Sequence, residues 1–190
     1  MLSTKPAKCR HCKERFPEEL RGAVIHSGCV DGWYAANVAK LAAKKAKAER
    51  AHTKARRAAL QTIPELIKAA QREFNAWIRL RDHRMGFSCI SSGSKLDWSG
   101  NGVDAGHYRS VGAASHLRFN ENNCNAQSKH DNQWKAGNVV DYRINLVKRI
   151  GLEAVEALEA DNTTHKWAKD ELIEIRKTYR AKTKALRDAA

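Results

Sequence analysis

The chain is short of acid, aromatic residues, proline and long apolar runs, and each shortage removes a class of protein. Its 21 Asp and Glu face 35 Lys and Arg over 190 residues, leaving a formal charge of +14. A surface so biased favours polyanionic partners, because each phosphate it neutralises releases condensed counterions. Nucleic acid is the expected partner. No run of about 18 apolar residues occurs, so no membrane-spanning helix is expected. The N-terminal "MLSTKPAKCRHCKERF" lacks the apolar centre of a secretory signal, and the expected location is the cytoplasm. Five cysteines, Cys9, Cys12, Cys29, Cys89 and Cys124, read in that compartment as thiols or metal ligands rather than as a disulfide framework. No internal repeat is visible, and the length suits one modest domain with an appendage.

What is present divides the chain into three. Residues 1–32 form a Cys-rich knuckle in which Cys9 and Cys12, then His26 and Cys29, stand at zinc-ligand spacing. Two such pairs close a tetrahedral Zn2+ site, and a segment with so few apolar residues needs that cross-link to fold. His11, between the two cysteines, is expected to point away. Residues 33–60 are Ala-rich and basic, with Lys40, Lys44, Lys45, Lys47, Arg50, Lys54, Arg56 and Arg57 opposed by Glu49 alone. They read as a helical arm that tracks DNA phosphates and is partly disordered without its partner.

Residues 61–190 carry the remaining elements. "TIPE" predicts a capped helix start at Thr62, with Glu65 completing a capping box and Pro64 in the first turn. Leu66, Ile67, Ala70, Phe74, Trp77 and Ile78 form its core stripe, and the helix should run to about Arg84. Residues 86–120 lose helical periodicity, and "VDAGHYRS" and "HLRF" are expected as the short strands of a hairpin. Helices return in "NVVDYRINLVKRI", stopped by Gly151, in "LEAVEALEAD", and in a long C-terminal helix that buries Trp167, Leu172, Ile175 and Tyr179.

The stretch from 103 to 138 is rich in Asp, His, Asn and Gly and poor in aliphatic residues. Hydrolysis of a phosphodiester needs a base to deprotonate water and a divalent cation to neutralise developing charge. His107, in "DAGHY", offers a neutral imidazole. The order His107, Asn123, Asn132 resembles the HNH motif of ββα-metal nucleases. The blocks "DAGHYRSVGAASHLRFNENN", "NQWKAGN", "YRINLVKRIG" and the "HKW" region are similar, in order and at close spacing, to the phage NinG family over nearly the whole chain.

That resemblance implies a metal-dependent, structure-selective endonuclease acting on branched DNA such as Holliday junctions, with Mg2+ or Mn2+ at its active site. His107 would be the general base, Asn132 a cation ligand, and Asn123 the residue that orients the base or braces its loop. Asp104 is the candidate acidic ligand, since the position directly before the His, commonly Asp in HNH proteins, is Gly106. Asp131 is a further candidate for the same cation, and Arg109 and Lys135 for the scissile phosphate. The family also carries a core zinc site of two Cys-x-x-Cys pairs. This chain has Cys89 and Ser92, then Ser128 and Asp131, at those places, so tight core zinc is not expected.

The expected fold is α+β: a zinc knuckle, a basic arm, and an HNH-like ββα-metal core wrapped by helices. A recombinase or single-strand-binding protein and a homodimeric state are compatible partners. The rival reading is a junction-binding accessory or recombinase adaptor that does not cut. The nuclease reading is lost if the imidazole of His107 and the amide of Asn132 lie on opposite sides of the molecule with no shared hollow between them.

Overall fold

The computed structural model describes residues 7–17, 24–135 and 137–189, which divide into two compact units, 1–60 and 61–190. In the first unit, a turn closed by a Lys8–Arg15 bridge leads to α1, Val30–Ala59. This helix is continuous for 30 residues, about 45 Å long, and none of its described side chains is buried. The basic residues of the expected arm, from Lys40 to Arg57, all lie on this helix. Ala, Lys, Arg and Glu are strong helix formers, and their summed propensity draws a helix here without packing.

The second unit begins with α2, Ile63–Arg84. The Thr62 backbone N–H donates to the Glu65 carboxylate at 2.8 Å, and the Glu65 N–H returns to the Thr62 hydroxyl, which is the expected capping box. Leu66, Ala70, Phe74 and Ile78 recur every fourth residue and are buried. Phe74 packs edge-on against Phe119 and Tyr179, and α6, Lys169–Asp188, supplies Leu172 and Tyr179 to the same core. A second cluster joins Ile90, Leu117, Tyr142, Leu146, Val155 and Leu158 around α4, Val139–Ile150, and α5, Leu152–Ala160. Gly151 separates these two helices at φ +88°, a conformation that a side chain resists, and so stops α4 where expected.

The sheet has two strands among the described residues. β1, Val103–His107, pairs antiparallel with β2, Cys124–Ser128, in the register Val103 to Ser128 and His107 to Cys124. The α3 helix, Lys129–Trp134, follows β2 directly. The segment "HLRF" is not the second strand: residues 115–119 form a 3-10 turn that buries Leu117 and Phe119. β2 escapes its usual sequence signal because Asn125 and Gln127, at 2% and 1% exposure, are as buried as its apolar residues.

A two-stranded ribbon is marginal alone and has a bare edge on each side. Here α2 covers the outer edge of β2. Arg81 donates to the Cys124 carbonyl at 3.0 Å, and Asp82 accepts the Ala126 N–H at 2.6 Å. The Ile90 N–H donates to the Ala126 carbonyl at 3.0 Å. Asp82 is fully buried, held by Arg81 at 2.7 Å and Arg149 at 3.6 Å, and Arg149 also donates to Asn125. Replacing Asp82 by Ala leaves the Ala126 N–H without its acceptor and the Arg81 and Arg149 guanidinium groups without their counter-charge. It is expected to cost about 3–5 kcal/mol in urea unfolding, and Asp82→Asn less.

Candidate functional site

The N-terminal centre is built from two turns. Sγ of Cys9, Cys12 and Cys29 and a ring nitrogen of His26 all lie within 4.8 Å of one another. Cys12 Sγ is 3.3 Å from His26 Nδ1, and the Cys9 sulfur accepts the backbone N–H groups of His11 and His26 at 3.4 and 3.5 Å. Phe16, buried, sets its ring tilted against that of His26 with centroids 4.3 Å apart. Burial pushes the Cys9 thiol up, but N–H donors from His26, His11 and Cys12 outweigh it and bring the pKa down to about 6. Burial, Cys12 and Cys9 push Cys29 up to about 11. Crowded thiols that resist joint deprotonation are what a soft dication relieves, and three sulfurs with one imidazole fit tetrahedral zinc. His11 is not among these ligands and lies against Gly32.

In the hairpin, side chains alternate across the ribbon. Asp104, Gly106, Asn125 and Gln127 share one face, on which Asp104 meets α3 and Asn125 meets α4. Asp104 Oδ2 accepts from Asn132 Nδ2 and Gln133 Nε2, both at 2.9 Å, so a carboxylate and two amides meet at the solvent edge. Gly106 leaves room for Gln127, whose Oε1 would lie 1.9 Å from any Cβ placed there. Gln127 itself donates to Ser91 and to the Gly137 carbonyl. The position before the His therefore holds no ligand, and Asp104 is the carboxylate on this face.

His107 projects from the opposite face. Its ring lies over Phe74 at 6.2 Å, Nε2 is 2.9 Å from the Arg118 carbonyl, and Nδ1 is 3.8 Å from Cys124 Sγ. His107 and the Asp104–Asn132 pair therefore lie on opposite faces of one ribbon, because Asp104 and His107 are an odd number of residues apart along β1. Burial lowers the His107 pKa, against the hydrogen bond to the Arg118 carbonyl, which raises it, and the Arg118 charge adds to the lowering. Asn123, fully buried, accepts the Arg109 N–H at 2.8 Å and donates to the Arg109 and Leu117 carbonyls at 3.0 and 3.3 Å. It laces the loop whose Arg118 carbonyl meets His107.

Two further candidates have other employment. Arg109 donates to the carbonyls of Leu158, Glu159 and Asp161, capping the C-terminal end of α5. Its guanidinium thus serves as a cap on that helix end. Asp131, at 3% exposure, is not beside Asn132's carboxylate partner but in a knot with Cys89 (3.3 Å) and Ser128 (2.8 Å). Lys135 Nζ lies 3.2 Å from its other oxygen. Lys135, half exposed, is thereby committed to Asp131. Burial pushes Asp131 up, but hydrogen bonds from Ser92, Ser128, Cys89 and Lys135 outweigh it and hold the carboxyl well below its usual range. Cys89, Ser92, Ser128 and Asp131 thus converge as a hydrogen-bonded cross-link.

Sequence reasoning missed Asp82, Arg81 and Arg149. A signal existed: Asp82 continues the every-fourth-residue series Leu66, Ala70, Phe74, Ile78. It also missed Glu159, which Arg143 and Tyr108 bring down to about 2 by hydrogen bonding.

A basic chain with an N-terminal Cys/His centre and a hairpin-helix unit presenting polar side chains on both faces defines the class, and comparison with known proteins gives the family. The chain matches the family described as "Bacteriophage Lambda NinG protein" over residues 1–189, and it belongs to that family. It is 43% identical over 138 residues to protein ninG of Salmonella phage P22 and, equally, of Escherichia phage lambda, covering 72% of this chain and 64% of each relative. The chain therefore spans slightly under two thirds of the length of those two relatives. Protein ninG of Enterobacteria phage H19B is 35% identical over 97% of this chain and 96% of its own length. No solved structure matches.

Two outcomes follow from these clusters. Zinc quantification should give one ion per chain, lost in Cys12→Ser and in Cys29→Ser, while Cys89→Ser keeps it. Asp131→Ala should cost about 1–3 kcal/mol at pH 7 by denaturant unfolding. Because the folded Asp131 pKa is depressed, its contribution is complete above the unfolded value near pH 4 and is lost as pH falls toward the folded value. The difference between wild type and Asp131→Ala should therefore shrink as the measurement moves from pH 5 to pH 3.

Proposed function

We propose that the chain is a metal-dependent DNA endonuclease of HNH type that acts on branched DNA. The observation that carries this reading is the hairpin followed directly by α3, in which Asp104 of β1 meets Asn132 of α3 while Asn123 laces the loop behind His107. Asp104 and the Asn132 amide oxygen would hold a hard dication such as Mg2+, which suits oxygen donors. Such an ion supplies charge neutralisation at the phosphate and the leaving oxygen.

In-line displacement puts the attacking water and the leaving oxygen on opposite sides of phosphorus. A base and a cation site on the two faces of a narrow ribbon are compatible with that demand when the scissile phosphate lies at the end of β1, where His107 is the last residue. His107, neutral because it is buried, would take the proton from water, and Cys124, whose thiol burial holds protonated, does not compete for it. The basic face of α1, with Lys40, Lys44, Lys47 and Lys54 in one sector, would add phosphate contacts that carry no sequence information.

The second reading is junction binding without cleavage. It is favoured by the seating of His107, whose ring nitrogens face the Arg118 carbonyl and the Cys124 sulfur.

Cleavage of a synthetic four-way junction, a flap and a duplex with and without Mg2+ separates the two. The nuclease reading expects Mg2+-dependent cutting of the branched substrates, lost about 10²–10⁴-fold in His107→Ala and strongly reduced in Asp104→Ala, with junction affinity kept in both. Full cutting by His107→Ala would remove the base assignment, and junction binding without cutting in any divalent cation would leave the second reading.

A further inference from the structure

We infer that the groove between α2 and α6 is a second nucleic-acid contact surface, one that grips the sugar-phosphate backbone of a duplex arm; the inference rests on the DNA-binding reading above. The groove has a volume of about 850 Å³, and Arg176, Arg180, Lys184 and Arg187 of α6 line it. These four recur at intervals of four, four and three residues, so they share one helical face and span about 16 Å. Like charges at that spacing repel one another, and an anion in the groove would relieve them.

Pairing separates these cations from the others on the same helix. Lys177 is held by Glu174 at 3.3 Å, and Lys182 by Glu121. Among the described residues, Arg176, Arg180, Lys184 and Arg187 have no carboxylate partner. Glu73, the acid on the α2 wall, leans toward Arg72 at 3.6 Å. The floor includes Thr183, buried, whose hydroxyl has no hydrogen-bond partner among the described residues. Three guanidinium forks and an ammonium in a line suit backbone phosphates, which accept two parallel donors each and need no base contact. The helix that carries them is anchored along the adjacent stripe by Leu172 and Tyr179, so the charges are presented on a fixed support.

The test is fluorescence anisotropy of random-sequence duplex and four-way junction DNA over a salt series, with full-length wild type, Arg180→Glu/Lys184→Glu and Lys47→Glu/Arg50→Glu. A groove that grips phosphates predicts that Arg180→Glu/Lys184→Glu lowers the slope of log K against log salt by about 0.9 for each phosphate no longer neutralised, with roughly tenfold or greater loss of affinity at low salt. Arg180→Gln/Lys184→Gln should lower the slope equally, which covers the case of a misfolded reversal variant, and circular dichroism checks the fold of each. An unchanged slope in folded groove variants, while wild type binds steeply and the α1 variant is weakened, overturns the groove and leaves the DNA reading intact. Wild type without salt-dependent binding removes both. A polyglutamate peptide that binds the groove variants more weakly than wild type, with DNA binding unaffected, overturns the inference in favour of an acidic protein partner.

Discussion

The carboxylate of Asp82 reaching the Ala126 N–H is the contact on which the second unit depends. A hairpin of five-residue strands cannot hold itself together in water, and an antiparallel pair leaves half of the backbone groups on each strand without a sheet partner. Asp82 and Arg81 supply those partners to β2 from a helix already fixed by Phe74 and Ile78, so the ribbon behaves as if a third strand lay beside it. The charge on Asp82 is the cost of this arrangement. Arg81 and Arg149 offset it, and Arg149 carries the link onward to Asn125 and so to Tyr142 of α4. Tyr142 in turn donates to the Gly106 carbonyl, so both strands of the ribbon are tied to helices by polar contacts.

The chain contains two cross-links of the same spacing and opposite chemistry. Cys9, Cys12, His26 and Cys29 bring together soft donors whose mutual repulsion calls for a dication. Cys89, Ser92, Ser128 and Asp131 stand at the same two-residue gaps, yet there the Ser128 hydroxyl and the Cys89 thiol donate to one carboxylate, and the positive charge comes from Lys135. Hydrogen bonds of this kind hold less tightly than four metal bonds. They are sufficient here because Cys89 also accepts the Ser128 N–H and packs with Leu96, Val103 and Ala126, so burial shares the load.

Much of this is legible in the residues. Helices with a cap, a four-residue apolar rhythm and a terminal Gly declare themselves locally, as α2 and α4 do, and the Cys/His spacing at the N-terminus points to its cluster. β2 does not declare itself, because a strand buried on both faces with Asn and Gln inside has no alternation to read. Arg109 misleads for a related reason: a guanidinium near a candidate site looks the same in sequence whether it meets a phosphate or the last carbonyls of a helix fifty residues away. Asp131 is drawn elsewhere by Ser128, Cys89 and Lys135, contacts that only the fold brings together.

The division of His107 from Asp104 by the ribbon constrains any chemistry at this site. A strand sends residues three apart to opposite faces whatever their neighbours, and a carboxylate at position 106 would stand on the Asp104 face as well. A base and a cation ligand carried on one strand at such a spacing are therefore placed on two sides of it, and a single reacting group can meet both only past the strand's end. His107 ends β1, and Asn123 fixes the loop that continues from it by binding the Arg109 N–H and carbonyl. That lacing gives the buried Asn123 a purpose beyond core packing: it ties the chain after His107 to the Leu117 turn, whose next carbonyl, that of Arg118, meets the His107 ring.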